Sequence, residues 1–283
     1  MNNLLKIENL TVELKRDKQI NRIINNISFD LKENSCLGIV GESGSGKSMT
    51  CKAIMGLLDQ SFHVQGEAHF NGRSLLSMNK EDLRRVRGKE IGMILQNPMT
   101  AFNPLYTIGN QIIETLREHV SISKKEALTI AINTLEKMKL KNPQNLLEKY
   151  PHQLSGGMLQ RVMIGIAIAL KPKLIIADEP TTALDSITQF EVINELINVR
   201  KHFNTSIIII SHDLGVISKL ADHVLVLNGG QMVEYGELKN IFTNPQHEHT
   251  KYLIHTKIAM MKRYHQVLNR GYIEESKINA TGS

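Results

Sequence analysis

Apolar residues in the first forty positions fall at every second place. LLKIENLTVEL (4–14) and IINNISFDL (23–31) alternate in this way, and CLGIV (36–40) is a short unbroken apolar run. Alternation predicts half-buried strands, and the five-residue run predicts a strand covered on both faces. From Met99 to Tyr150 the period changes. QIIETLREHV (111–120) and KKEALTIAINTLEKMKL (124–140) carry apolar residues three and four apart, which predicts a helical segment. PKLIIADE (172–179) and TSIIIISHD (205–213) then bring Ile-rich runs that each follow a helix-like stretch. They read as central parallel strands of an α/β sheet. HVLVLNGGQMVEYG (223–236) sets Gly-Gly between two apolar runs and predicts a hairpin. Beyond Leu238 the chain is polar, then basic and helix-like, and ends in NATGS, an end expected to be disordered. There is no internal repeat.

A chain of 283 residues with 41% hydrophobic content can bury one or two cores. No stretch approaches the roughly 18 uninterrupted apolar residues of a membrane span. The N-terminus lacks the charged start, apolar middle and small-residue cleavage site of a signal peptide, so the chain is expected to stay in the cytoplasm. Cys36 and Cys51 are the only cysteines; two exclude a disulfide framework, and their apolar contexts favour core packing over a redox or metal role. The formal charge of +6 admits nucleic acid or a lipid surface as partner. No zinc finger, RNA-binding aromatic motif or long basic run accompanies it.

Candidate chemistry begins where CLGIV opens into GESGSGKS (41–48), which fits G-x-x-x-x-G-K-[ST]. Gly41, Gly44 and Gly46, with Ser43 and Ser45 between them, let backbone N–H groups converge on phosphates at a helix N-terminus. Lys47 supplies a point charge to the β- and γ-phosphates of ATP, and the Ser48 hydroxyl a ligand to Mg²⁺. A plain glycine turn is the competing reading, and the strand before and helix after the loop argue against it. At the end of LIIADE, Asp178 is expected to hold Mg²⁺ and Glu179 to polarise the attacking water. Alternatively, Asp-Glu followed by Pro180 starts the next helix.

The string LSGGM (154–158) carries a resemblance to the ATP-binding cassette (ABC) ATPases, which extends from about Leu4 to Gly236. The resemblance implies a P-loop NTPase (RecA-like) α/β core with an N-terminal antiparallel β subdomain and an inserted α-helical subdomain at about 99–165. The ATPase domain would span 1–240, with a C-terminal extension at 241–283. It further implies that Ser155, Gly156 and Gly157 meet the γ-phosphate of ATP held by a partner chain. Gln96 matches the glutamine that senses Mg²⁺ and the attacking water. Asp185 in TTALD matches the loop crossing the dimer interface, and His212 in SHD the switch histidine at the γ-phosphate. Catalysis is thereby implied for Glu179, His212 and Gln96, and Mg²⁺ ligation for Ser48, Gln96 and Asp178. A histidine after a strand is otherwise more often a cap or core residue.

Within the family, QNPMTAFNPLYTIGNQI, the LSGGM form and IIADEPTTALDSIT are similar to the D-type ATPase of the peptide and nickel importer branch. That branch implies a non-identical second ATPase of the F or E type. It also implies two membrane permease subunits docked on about Asn97–Ile112, and an extracytoplasmic substrate-binding protein. The chain would sit peripherally at the cytoplasmic face of the membrane. An ordinary proline-containing loop is the alternative reading of Asn97–Ile112. Leu14 stands where the family's adenine-stacking aromatic is expected, and Met49 where many members carry a hydroxyl, which leaves the α-phosphate to backbone N–H groups. Glu248 and His249 replace the usual Pro and Tyr of the tail motif, and the cysteine-rich tail of some members is absent. His247, His249 and His255 raise a metal site as an expectation weaker than solvated polar residues. A soluble ABC ATPase acting on DNA or ribosomes is the alternative function, and the chain carries neither the tandem cassettes nor the coiled coil usual there.

Overall fold

The computed structural model describes residues 3–16, 19–182 and 184–256. Two long strands, β1 (Asn3–Arg16) and β2 (Gln19–Lys32), precede β3 (Cys36–Val40) and helix α1 (Lys47–Ile54). Then come β4 (Phe62–Phe70), β5 (Arg73–Ser74), α2 (Lys80–Val86) and β6 (Ile91–Ile94). A helical stretch follows: α3 (Pro98–Ala101), α4 (Ile108–His119), α5 (Lys124–Lys137), α6 (Pro143–Leu147) and α7 (Gly156–Ala169). The chain returns through β7 (Leu174–Asp178), α8 (Ser186–Phe203), β8 (Ser206–Ile210), α9 (Leu214–Leu220), β9 (His223–Asn228), β10 (Gln231–Glu237) and α10 (Leu238–Thr243).

Two sheets result. One is antiparallel with strand order β2-β1-β4-β5; the other runs β10-β9-β3-β8-β7-β6, parallel except for the edge hairpin β9–β10. The unbroken isoleucine run of β8 now has its reason. Ile207 and Ile209 join the core formed with α4, α5, α7, α8 and α9, whereas Ile208 and Ile210 join the core shared with α1 and the antiparallel sheet. All four are fully buried. Each buried isoleucine contributes about 1.5–3 kcal/mol, so both faces of the strand must be apolar. β7 divides likewise, Ile175 and Ala177 to one side and Leu174 and Ile176 to the other.

β4 and β5 carry too little apolar signal to be read from sequence, because of β4 only Ala68 and Phe70 are buried. The helices between β6 and β7 run from Pro98 to Ala169, a little beyond the expected 99–165. Cys36 and Cys51 are both buried in the cores, and burial pushes their thiols well up from the usual range. The two sheets are fastened beside the glycine loop. Gly230, in the β9–β10 turn, donates its N–H to Ser45 O at 3.2 Å and accepts from Asn25 N at 2.8 Å. A Cβ at Gly230 would stand 2.1 Å from the Ile23 carbonyl oxygen, so only glycine permits this approach. Among the described residues no helix is long and apolar enough to cross a membrane.

Candidate functional site

Loop 41–46 joins the carboxyl end of β3 to α1, the position where parallel α/β sheets place ligands. Gly46 caps the helix with φ 99°, and a Cβ there would lie 2.4 Å from Ile24 Cδ1. At Gly41 a Cβ would meet Leu227 O at 2.2 Å. These two positions force the loop to curl tightly, which turns the first N–H groups of α1 toward one point. Those groups have no intrahelical acceptors, so they suit an anion. Lys47 is buried, and its Nζ donates to Gly41 O at 2.9 Å and Glu42 O at 2.7 Å. Burial holds the ammonium below the usual lysine range, against the attraction of Glu179 and Asp178.

The Ser48 hydroxyl donates to Asp178 Oδ1 at 2.7 Å. Asp178 ends β7 and is buried; burial holds its carboxyl above the usual range, against the Ser48 bond. Two hard oxygen donors are thus paired beside the anion cradle, a set that fits Mg²⁺. Glu179 follows with φ 50°, a left-handed conformation that costs about 1–3 kcal/mol in a residue of this type. Its N–H donates to Ile210 O at 3.0 Å, which ties it to the end of β8. Glu179 Oε2 accepts from Thr182 Oγ1 at 2.7 Å and from His212 Nδ1 at 2.6 Å. No helix starts at Pro180, since α8 begins at Ser186, and the capping alternative for Asp-Glu falls.

A cleft of about 730 Å³ collects Ser43, Gly44, Gly46, Lys47, Ser48, Met49, Gln96, Glu179 and His212. Gly41 and Ser45 lie buried behind the loop and shape it without lining the cleft. Ile23 of β2 lines it; Leu14 does not, and instead pairs with Asn21 and Phe62 across β1. Ile23 in the cleft wall and Thr182 against Glu179 are the two residues that sequence reasoning missed. No motif marks Ile23, whose place depends on how the Gly230 contact seats β2; Thr182 stands inside TTALD, but only the backbone turn at Glu179 brings its hydroxyl to the carboxylate.

Ser155, Gly156, Gly157 and Asp185 stand outside this cleft, and of these Ser155, Gly156 and Asp185 are exposed. Ser155 caps α7 by accepting from Met158 N at 3.3 Å. Asp185 caps α8 by accepting from Ile187 N and Thr188 N at 3.0 Å each, and its bonds with Thr188 hold the carboxyl below the usual range. A Cβ at Gly157 would lie 3.4 Å from Thr188 Cγ2, so the starts of α7 and α8 are neighbours. In the tail, Glu234 accepts from Gln246 N and His247 N at 2.8 and 3.1 Å, next to a helix over 248–256. Among the described residues no three His, Cys, Asp or Glu are grouped to hold a metal. The expected disordered end and the basic stretch Lys257–Arg270 lie outside the described residues.

A phosphate cradle with two paired oxygen donors beside it, at the carboxyl ends of a parallel sheet, makes the chain a P-loop nucleoside triphosphatase. Residues 24–182 match the model of the ABC transporter family. The chain is 44% identical over 272 residues, 96% of its length and 99% of the relative's, to the metal-staphylopine import system ATP-binding protein CntD of Staphylococcus aureus (strain NCTC 8325 / PS 47). It is 42% identical to the oligopeptide transport ATP-binding protein OppD of Escherichia coli (strain K12), over 87% of this chain and 73% of that one. The solved dimer of the ATP-binding cassette MJ0796 in a post-hydrolysis state, bound to ADP and Pi, superposes with a TM-score of 0.75 at 27% identity, covering 83% of this chain and 98% of that chain. The chain belongs to the ABC transporter family and is an ATPase of it.

Proposed function

We propose that the chain hydrolyses MgATP to drive an importer of peptides or metal–chelator complexes, and that it supplies one half of each shared site. The observation that carries this is a division of labour. Lys47, Ser48, Asp178, Glu179, Gln96 and His212 meet at one cleft or its floor, while Ser155, Gly156 and Asp185 face solvent elsewhere. Within this exposed set, Ser155 and Gly156 form a second anion site at the N-terminus of α7, useful only to ATP on another chain. The relatives named as metal-staphylopine and oligopeptide import proteins support the importer reading over one acting on nucleic acid.

ATP binds with its phosphates on the N–H groups of α1 and Lys47, and Ile23 and Met49 offer an apolar wall to the base. Ser48, Asp178 and Gln96 would hold Mg²⁺, which would supply positive charge against the phosphates. Glu179 polarises the attacking water, with its carboxylate fixed by Thr182 and His212. His212 also contacts the γ-phosphate, and Ser155 to Gly157 of a second, non-identical ATPase close over it. Closure is transmitted to two permease subunits through Asn97–Ile112, where Met99, Leu105 and Tyr106 are 49%, 80% and 53% exposed. The chain then works at the cytoplasmic face of the membrane beside an extracytoplasmic substrate-binding protein, and its positive charge suits anionic headgroups.

Glu179→Gln tests the chemistry. Nucleotide binding is expected to persist, with phosphate release down about 10²–10⁴-fold and an ATP-dependent dimer persisting on gel filtration. Undiminished release would remove Glu179 from its role. Affinity purification of the tagged chain from detergent-solubilised membranes tests the assembly. Recovery of a permease and a second ATPase is expected, and recovery of nucleic acid in their place would overturn it.

A further inference from the structure

His212 is placed by more than its own strand. Asp213, the next residue, caps α9 by accepting from Gly215 N at 2.8 Å on Oδ1. Its backbone N–H donates to Ser211 Oγ at 3.0 Å, so the turn carrying His212 is closed locally. The other carboxylate oxygen, Oδ2, accepts from Gln189 Nε2 of α8 at 3.1 Å. A carboxylate presents only acceptors, so the Gln189 amide must offer its NH₂ group here.

Gln189 lies one helical turn from Asp185, and its backbone N–H donates to Asp185 O at 2.8 Å. Asp185 in turn holds Ile187, Thr188 and the Thr188 hydroxyl. The N-terminal turn of α8 is therefore braced by one carboxylate, and the loop of His212 by another. The Gln189 side chain is the hydrogen bond that joins them. The same turn touches the start of α7 through Thr188 beside Gly157. Capping α9 needs only Oδ1, so α9 does not account for the second bond to Asp213.

We propose that Gln189 is a positioning residue that couples the orientation of His212 against Glu179 to the exposed, partner-facing start of α8. This rests on the role given to His212 above. A displacement of the Asp185 turn moves Gln189, which pulls Asp213 and with it the backbone that aims the His212 ring. Misplacement of a catalytic contact by about 1 Å costs up to about a hundredfold in rate, so a single hydrogen bond here is enough to gate turnover.

The test uses the full-length chain assembled with its second ATPase and permease subunits and compares Gln189→Met, Gln189→Lys and His212→Ala by steady-state phosphate release and by binding of a fluorescent ATP analogue. Methionine keeps length and helix preference but removes the donor. It is expected to lower kcat about tenfold, with KM and analogue affinity changed less than about twofold. Lysine restores a donor to Asp213 and is expected to return kcat to within about threefold of the parent. An unchanged kcat in Gln189→Met overturns the proposal, as does a fall that Gln189→Lys fails to reverse, since that marks packing. If His212→Ala leaves turnover intact, the role of His212 and this coupling fall together. If His212→Ala abolishes turnover while Gln189→Met does not alter it, only the coupling falls.

Discussion

His212 Nδ1 and the hydroxyl of Thr182 converge on one oxygen of Glu179, at 2.6 and 2.7 Å. Two strand ends meet in that arrangement: Glu179 leaves β7, His212 leaves β8, and the Glu179 N–H donates back to Ile210 O. The left-handed turn at Glu179 turns the carboxylate out of the sheet. The doubly held oxygen fixes its direction, and its other oxygen is left for a water.

Thr182→Val removes one of those two donors without changing side-chain shape. A hydrogen bond to a charged group contributes about 1.5–3 kcal/mol, and part of that is spent here on orientation. The expected outcome is a fall in kcat of about tenfold with nucleotide affinity unchanged, measured by phosphate release and analogue binding. A change in affinity alone would show that Thr182 serves the loop and not the carboxylate.

Asp178 gives a dependence on pH. Burial holds its folded carboxyl above the unfolded value, so folding disfavours the ionised form. Stability from this group is complete below the unfolded value and lost as pH rises through the folded one. Asp178→Asn keeps an acceptor for Ser48 and removes the charge. At neutral pH its melting temperature is expected to exceed the parent's. That difference should vanish on acidification, and phosphate release should be lost at every pH. A variant less stable than the parent at neutral pH would contradict this.

Gly46→Ala places a methyl 2.4 Å from Ile24 Cδ1 at φ 99°. Overpacking and backbone strain together are expected to cost about 1–3 kcal/mol in urea denaturation. Adding Ile24→Val should return the steric share only, so the double variant falls between the parent and Gly46→Ala. Full recovery would mean that the left-handed backbone carries no cost.

Ile23→Ala removes apolar surface from the cleft wall. A loss of about 1 kcal/mol of base contact corresponds to about a fivefold rise in KM for ATP, with kcat unchanged. Titration of ATP under saturating Mg²⁺ reads it, and an unaltered KM would place the base elsewhere.

The fold was legible where one pattern had one cause. Unbroken isoleucines at 207–210 could only be a strand covered twice, and GESGSGKS could only curl. Other parts depend on distant chain. Phe62–Phe70 buries too few side chains to stand out and becomes a strand because β1 offers it a ladder. Asn9 and Asn26, both at positive φ, lie next to pairing shifts inside β1 and β2 that alternation does not reveal. Candidate residues at the phosphates announced themselves by spacing. The base wall did not, since Leu14 and Ile23 are both aliphatic strand residues and only tertiary placement decides which one reaches the cleft. Gln189 was invisible for the same reason, lying 24 residues from its partner Asp213.

The contact of Gly230 with Ser45 and Asn25 has a last consequence. It rivets the strand that carries Ile23 to the loop that carries Lys47, so the two ends of the nucleotide are gauged on one inflexible frame. Such a frame acts as a ruler. Ile23 and Met49 line the cleft with apolar surface, so loosening the Gly230 contact is expected to weaken the grip on base and phosphates together.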